Sequence, residues 1–222
     1  MIECRDIEFT YPGERFTLRI PEFCAKKGEA VALVGPSGCG KSTFLNLIAG
    51  NLIPSSGEIQ VGEFRPAEMP VSDRQRYRLG NIGLVPQSFE LLDYLTVREN
   101  IGLPYRIGKS YDEPAGLGER CQSLAGRAGI EELLDDFPDR LSQGERQRAA
   151  LCRGLVTEPP LVLADEPTGN LDPENQDKSV ELLLEEARRI EATVLMITHD
   201  PVLLPKFDRV VDMPELRKGA AS

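Results

Sequence analysis

The sequence predicts an α/β fold. A mostly parallel sheet is covered by helices, preceded by antiparallel strands and interrupted by an inserted helical block. Three observations predict it. Apolar, largely β-branched runs stand at residues 29–35 (EAVALVG), 161–165 (LVLAD) and 193–198 (TVLMIT), nearly free of polar residues, as in strands buried on both faces. Between the last two, Val180, Leu183, Leu184, Ala187 and Ile190 recur at helical spacing. From about residue 88 to 157 the pattern becomes helical. Strands that alternate with helices pair in parallel, because each helix carries the chain back across the sheet.

The elements follow in order. Residues 2–10 and 15–20 read as two antiparallel strands joined by the turn Tyr11-Pro12-Gly13. After the strand at 29–35, residues 41–50 (KSTFLNLIAG) read as a helix that Gly50 stops. Residues 57–62 (GEIQVG) alternate like a strand, and 81–85 (NIGLV) form another short one. In the helical block, Leu117, Cys121, Leu124 and Ala128 mark one buried helix face. The stretch 106–118, rich in Gly, Pro and charge, reads as a mobile connection. Ser142-x-x-Glu145 is a capping box that starts a helix with Ala149, Ala150, Cys152, Leu155 and Val156 as its apolar body. Asp172-Pro173 supplies a cap and a first-turn proline for the helix through residue 190. The last strand is expected at 209–213. The whole chain, 1–222, reads as one domain, with a core of residues 1–87 and 158–222 and a helical subdomain at 88–157.

Charge and composition exclude several classes. The net charge of −10 argues against nucleic acid as the primary partner, since backbone phosphates demand a basic face. No signal peptide is expected, because Glu3, Arg5, Asp6 and Glu8 interrupt the region where an apolar segment would stand. The longest charge-free run, 42–57, contains Asn46, Asn51 and Pro54 and does not read as a membrane span. Any membrane connection must come through a partner. Cys4, Cys24, Cys39, Cys121 and Cys152 are scattered, odd in number and form no C-x-x-C, so reduced thiols in the cytosol are expected.

Residues 35–43 (GPSGCGKST) match G-x-x-x-x-G-K-[ST], with Gly35, Gly40, Lys41 and Ser42 at the defining positions. Strand before and helix after give the setting a phosphate-binding loop requires. Successive backbone N–H groups from Gly35, Pro36, Ser37, Gly38, Cys39 and Gly40 onward can wrap a triphosphate (Pro36 has none to give). Lys41 reaches the outer phosphates, Ser42 can join Mg²⁺, and Thr43 continues the helix start. The thiol of Cys39 lies inside this loop, so its modification is expected to block nucleotide binding. The strand 161–165 ends in Asp165 and Glu166, an arrangement that is costly unless a cation meets the carboxylates. At the carboxyl edge of a parallel sheet that cation is Mg²⁺ on a nucleotide. Asp165 then holds the metal, and Glu166 lies beside the terminal phosphate to orient or deprotonate water.

Leu141-Ser142-Gln143-Gly144-Glu145 completes a recognisable order: phosphate loop, glutamine, LSxGx, apolar-Asp-Glu, Leu-Asp and a lone histidine. In this order the chain resembles the ATP-binding subunit of ABC transporters, from about residue 1 to 213. The resemblance implies an ATPase that uses ATP and Mg²⁺. It implies that Ser142, Gln143, Gly144 and Glu145 grip the terminal phosphate of ATP held by a second copy of the chain. It also implies that Tyr11 stacks on adenine and that Gln87 contacts Mg²⁺ and the attacking water. Asp172 touches the opposite copy besides capping its helix, and His199 holds the terminal phosphate. Most members carry two glycines and a glutamine where this chain has Gln143, Gly144 and Glu145. Glu145 adds negative charge near a phosphate, and Gln143 would cost about 1 kcal/mol if its position needs a left-handed backbone. Phe89, Leu91, Leu92 and Tyr94 are either core of the helical block or a docking surface. In the family this region receives a cytoplasmic helix of a separate permease. The string 165–172 (DEPTGNLD) and LTVREN look most like the group serving lipoprotein release, macrolide export and cell division. Export or lipoprotein release is the first reading. A regulatory partner of a membrane protein that moves no substrate is the alternative. Either implies a cytoplasmic protein held at the inner face of the membrane by its permease, and no C-terminal regulatory domain is expected.

Overall fold

One parallel sheet separates two hydrophobic clusters, and its carboxyl edge collects the polar residues singled out above. The structure is a computed structural model, and it describes residues 1–13, 16–107, 116–169 and 171–219. Strands β1 (Ile2–Thr10), β2 (Thr17–Ala25) and β4 (Ser56–Val61) form an antiparallel sheet in the order β2-β1-β4. Strands β3 (Ala30–Val34), β5 (Ile82–Val85), β6 (Leu161–Asp165), β7 (Thr193–Ile197) and β8 (Arg209–Asp212) form a parallel sheet ordered β5-β6-β7-β3-β8. The helices are α1 (Lys41–Ile48), α2 (Val71–Asn81), α3 (Val97–Ile101), α4 (Leu103–Ile107), α5 (Leu117–Arg127), α6 (Gln143–Leu155), α7 (Pro173–Arg189) and α8 (Met213–Lys218).

Strand alternation divides the parallel sheet between the clusters. Ala30, Ala32, Val162, Ala164, Val194 and Met196 face α3, α5, α6 and α7. Val31, Leu33, Leu161, Leu163, Leu195 and Ile197 face α1, α8 and the antiparallel sheet. In β1 the alternation breaks at Arg5 and Asp6, where the register with β4 shifts and Asp6 takes φ 51°. Gly57 is required opposite this bulge, because a Cβ there would lie 2.3 Å from the Asp6 carbonyl oxygen.

Two buried polar groups organise the helical side, one through a local turn and one between distant helices. Asn100 is fully buried; its Oδ1 accepts from Leu92 N at 2.7 Å, and its Nδ2 donates to the carbonyls of Leu92, Leu95 and Thr96 at 3.0–3.1 Å. Glu186 of α7 is buried and receives Arg127 of α5 on both oxygens, with Arg189 on one of them.

Several expectations are corrected. The second strand runs on to Ala25 through Pro21, which an edge strand tolerates; its expected start at residue 15 lies outside the described residues. The strand expected at 57–62 joins the antiparallel sheet as β4, so that sheet has three strands rather than two and closes only after β3 of the parallel sheet. Helix α2 was not expected, and Asn81 ends it instead of starting β5. Leu117 and Gly118 begin α5 and are not part of a connection, while residues 108–115 lie outside the described part. Met213 opens α8 instead of closing β8. Among the described residues no helix is long and apolar enough to cross a membrane.

Candidate active site

The parallel register brings the ends of β3, β6 and β7 level: Leu33 pairs with Ile197, and Asp165 with Ile197. The loops that leave these strands therefore open on one edge. The loop after β3 carries Gly35, Gly38 and Gly40 at φ 145°, 75° and 103°. Gly40 caps α1 without a side-chain partner, and no acid stands in the first turn. The first N–H groups of α1 are thus left for an external anion, in the favourable field of the helix end. Lys41 is 7% exposed and lies across the loop, donating from Nζ to the carbonyls of Gly35 at 2.8 Å and Pro36 at 3.0 Å. Pro36, Ser37 and Gly38 form the exposed tip, and Ser42 is exposed beside them.

The thiol of Cys39 is buried in the cluster beneath the loop, 3.1 Å from where a Cβ on Gly35 would stand, so any group added to the sulfur has to displace packed neighbours under the loop. Tyr11 reaches the same helix turn. Its hydroxyl lies 3.3 Å from Thr43 Oγ1, and its ring packs edge-on against Phe9 with centroids 4.8 Å apart.

Asp165 ends β6. Burial pushes its carboxyl up, a hydrogen bond with Ser42 opposes this, the neighbouring Glu166 adds to it and Lys41 counters it. A hydroxyl, a half-buried carboxylate and a lysine therefore converge beneath the glycine loop. Glu166 follows at φ 43°, a left-handed backbone for a non-glycine residue, with its N–H donating to Ile197 O at 3.1 Å. Its Oε2 is 3.3 Å from His199 Nδ1. Gln87 arrives from the end of β5: its Nε2 and Glu166 Oε2 lie 3.6 and 3.8 Å from one point, the place a Cβ on Gly169 would take. Glu166, Thr168, Gln176, His199 and Asp200 line a cavity of about 190 Å³, large enough for several waters. Gln176 holds its rim by donating to Thr168 O at 3.1 Å, a contact the sequence did not signal.

The expected capping box is present at α6. Ser142 Oγ accepts from Glu145 N at 3.4 Å, and Glu145 Oε2 accepts from Ser142 N and Oγ at 2.8 and 2.7 Å. The Ser142 hydroxyl and N–H hold the Glu145 carboxyl below the usual carboxylate range; burial opposes them and Arg148 assists. Gln143 is the first residue of α6 and is absent from the positive-φ positions, so the expected left-handed strain does not exist. A Cβ on Gly144 would lie 3.4 Å from Asn175 Oδ1 of α7. Asn175 in turn donates from N and Nδ2 to Asp172 at 3.1 and 2.6 Å. The α6 turn and the Asp172 cap thus stand side by side.

Phe89, Leu91 and Leu92 are half-buried, and Leu91 packs on the helical-side cluster. A groove of about 720 Å³ runs beside them, lined by Leu79, Leu84, Pro86, Leu103, Ile107 and Arg153 among others; of residues 89–92 only Glu90 lines it.

This edge suits hydrolysis of a triphosphate. It offers an anion cradle, oxygen donors for a hard cation and a carboxylate facing a water-sized space. Its class is that of the phosphate-loop ATPases. Residues 18–169 match the ABC transporter family, and the chain belongs to that family as one of its ATP-binding cassettes. It is 39% identical over 213 residues to the ABC transporter ATP-binding protein YxdL of Bacillus subtilis, covering 95% of this chain and 82% of that one. It is 38% identical over 200 residues to the lipoprotein-releasing system ATP-binding protein LolD 1 of Rhodospirillum rubrum, covering 90% and 88%. The dimeric ATP-binding cassette MJ0796, in a post-hydrolysis state bound to ADP and Pi, superposes with a TM-score of 0.84 at 30% identity, covering 96% of this chain and 94% of that one.

Proposed function

We propose that two copies of this chain close around two Mg-ATP and drive a separate permease of the export or lipoprotein-release type. The observation that supports this most is the split character of the site. The uncapped α1 end and the Asp165–Glu166 pair lie on one sheet edge, whereas the second helix end, at Ser142, makes its capping bonds internally. A second copy turned head to tail would bring that end to the terminal phosphate.

In this reading Gly35, Pro36, Ser37, Gly38, Cys39, Gly40 and Thr43 form the cradle, and Lys41 leaves its carbonyl partners for the outer phosphates. Tyr11 flanks adenine. Ser42, Gln87 and Asp165 fit Mg²⁺. They offer hydroxyl, amide and carboxylate oxygens and no cage of their own, which suits an ion that keeps waters and phosphate oxygens. Among the described residues no cluster of three His, Cys, Asp or Glu offers a competing site. Held by Ser42, Gln87 and Asp165, Mg²⁺ would supply positive charge beside the phosphates. Glu166 takes the proton of water as its oxygen attacks the terminal phosphorus and the bond to the ADP oxygen breaks. His199 steadies the Glu166 carboxylate and the phosphate, and Gln87 orients the water. From the partner copy, Ser142, Gln143, Gly144 and Glu145 meet the terminal phosphate and Asp172 meets the facing surface. Residues 88–157 move as a subdomain against 1–87 and 158–222. The permease docks near Phe89, Leu91 and Leu92, in the adjoining groove, and holds the chain at the inner face of the membrane.

The test is Glu166→Gln. It should bind ATP, elute as a dimer with Mg-ATP, and hydrolyse at least about 100-fold more slowly than wild type. Wild-type turnover, or a monomer at every nucleotide concentration, would remove the proposal.

A further inference from the structure

We propose that Arg153 and Gly154 of α6 position Gln87, so that the helix carrying Ser142–Glu145 sets the glutamine of its own chain's site. The inference rests on the function proposed above. Gln87 sits in residues 86–90, the first part of the connection from β5 to α3, and α6 grips this part on both sides. Before the loop, the helix backbone lies directly on β5. A Cβ on Gly83 would fall 2.2 Å from Gly154 O, and one on Gly154 would fall 2.9 Å from Val85 Cγ2 and 3.1 Å from Leu84 O. Only two glycines permit this approach. After Gln87, one guanidinium spans two successive carbonyls: Arg153 Nη2 donates to Phe89 O at 2.7 Å and Nη1 to Glu90 O at 2.6 Å. Glu90 is held at φ 50°, a conformation a free glutamate avoids by about 1 kcal/mol or more. A planar fork of fixed geometry can enforce it; an ammonium cannot bond both carbonyls in the same way.

The other end of α6 is Ser142, about 17 Å from Arg153 at 1.5 Å per residue. A helix of 13 residues transmits a rigid-body shift along its length. When the Ser142 end is drawn toward a nucleotide on the partner copy, Arg153 and Gly154 move with it. The 86–90 segment, held on both sides by α6, carries Gln87 along. Arg153 also lines the groove beside β5, so an occupant of that groove would act on the same side chain. Arg153 bonds the loop backbone and acts through Gln87, as a positioning residue.

The test uses the full chain. Arg153→Met should lower kcat about tenfold while changing affinity for a non-hydrolysable ATP analogue less than about twofold. In a Gln87→Ala background the same substitution should cost less than about twofold, because the residue it acts through is already gone. Arg153→Lys should fall between wild type and Arg153→Met. If Arg153→Met does not fold, Arg153→Gln enters the same comparison. A full tenfold loss in both backgrounds marks a merely structural residue and overturns the inference, as does unchanged kcat. Glu166→Gln run alongside separates the failures. If it hydrolyses like wild type, the functional reading fails; if it is inactive while Arg153→Met is normal, only this inference fails.

Discussion

Replacing Glu186 with alanine should loosen the join between α5 and α7 by a predictable amount. The carboxylate is only 5% exposed and accepts Arg127 at both oxygens and Arg189 at one, whereas the two arginines are 36% and 48% exposed. Each charge-assisted hydrogen bond is worth about 1.5–3 kcal/mol when fully desolvated. The exposed arginines recover much of their hydration once the acid is gone, which cuts the loss by roughly half. The remainder, with the small void left by the missing side chain, comes to about 3–5 kcal/mol. For a chain of this size that lowers Tm by about 6–20 °C. The pH dependence adds a second signature. Burial alone would raise the Glu186 carboxyl, but Arg127 and Arg189 outweigh it and hold it below its ordinary value of 4.5. A depressed carboxyl contributes stability that is present above the unfolded value and lost as pH falls through the folded one. The difference in urea midpoint between wild type and Glu186→Gln should therefore be full at pH 7 and shrink below about pH 4.5. A Tm shift under about 2 °C, or a gap that does not narrow in acid, would refute the assignment of this cluster as a desolvated clasp.

Two further outcomes are expected. Asn100→Ala should lower stability by about 1–3 kcal/mol in urea denaturation, because the Leu92 amide and the Leu95 carbonyl lose their partner in a half-buried turn, while the Leu92 and Thr96 carbonyls keep the N–H groups of Leu95 and residue 100. Gln143→Gly and Glu145→Gln should separate. The first costs about 0.5–1 kcal/mol at an ordinary helical position and gives no gain in turnover. The second keeps an acceptor for Ser142, removes a charge from the turn proposed to meet the partner's phosphate, and should raise steady-state ATP hydrolysis a few-fold; a large drop would show that the carboxylate is needed.

The readable parts of this molecule were those that depend on neighbours in sequence. The strands at 30–34, 161–165 and 193–197 announced themselves through unbroken apolar runs, and the caps at Ser142 and Asp172 through residues three apart. Helix α2 was silent because its only buried residue is Tyr77, so its sequence carries no apolar stripe to detect. The α8 turn was hidden by a proline that reads equally well as a stop. Arg153, Asn100 and Gln176 left no trace because each bonds backbone carbonyls distant in sequence or around a turn, and a carbonyl has no letter of its own. The burial of the Cys39 thiol depends on which way one side chain points from a loop, a matter settled by the cluster beneath it.

The alternation along the parallel strands has a practical consequence for anyone who would cut this chain. Val162 and Leu163 are neighbours in sequence but belong to different interiors. Excising residues 88–157 would not yield a smaller nucleotide binder. It would unroof Ala30, Ala32, Val162, Ala164, Val194 and Met196 over much of the sheet, leaving α7 and the turn with Leu203 and Phe207 as cover. Such a fragment would present a broad flat apolar surface and precipitate. A stretch that looks like an insertion on paper is, for solubility, half of the molecule's roof.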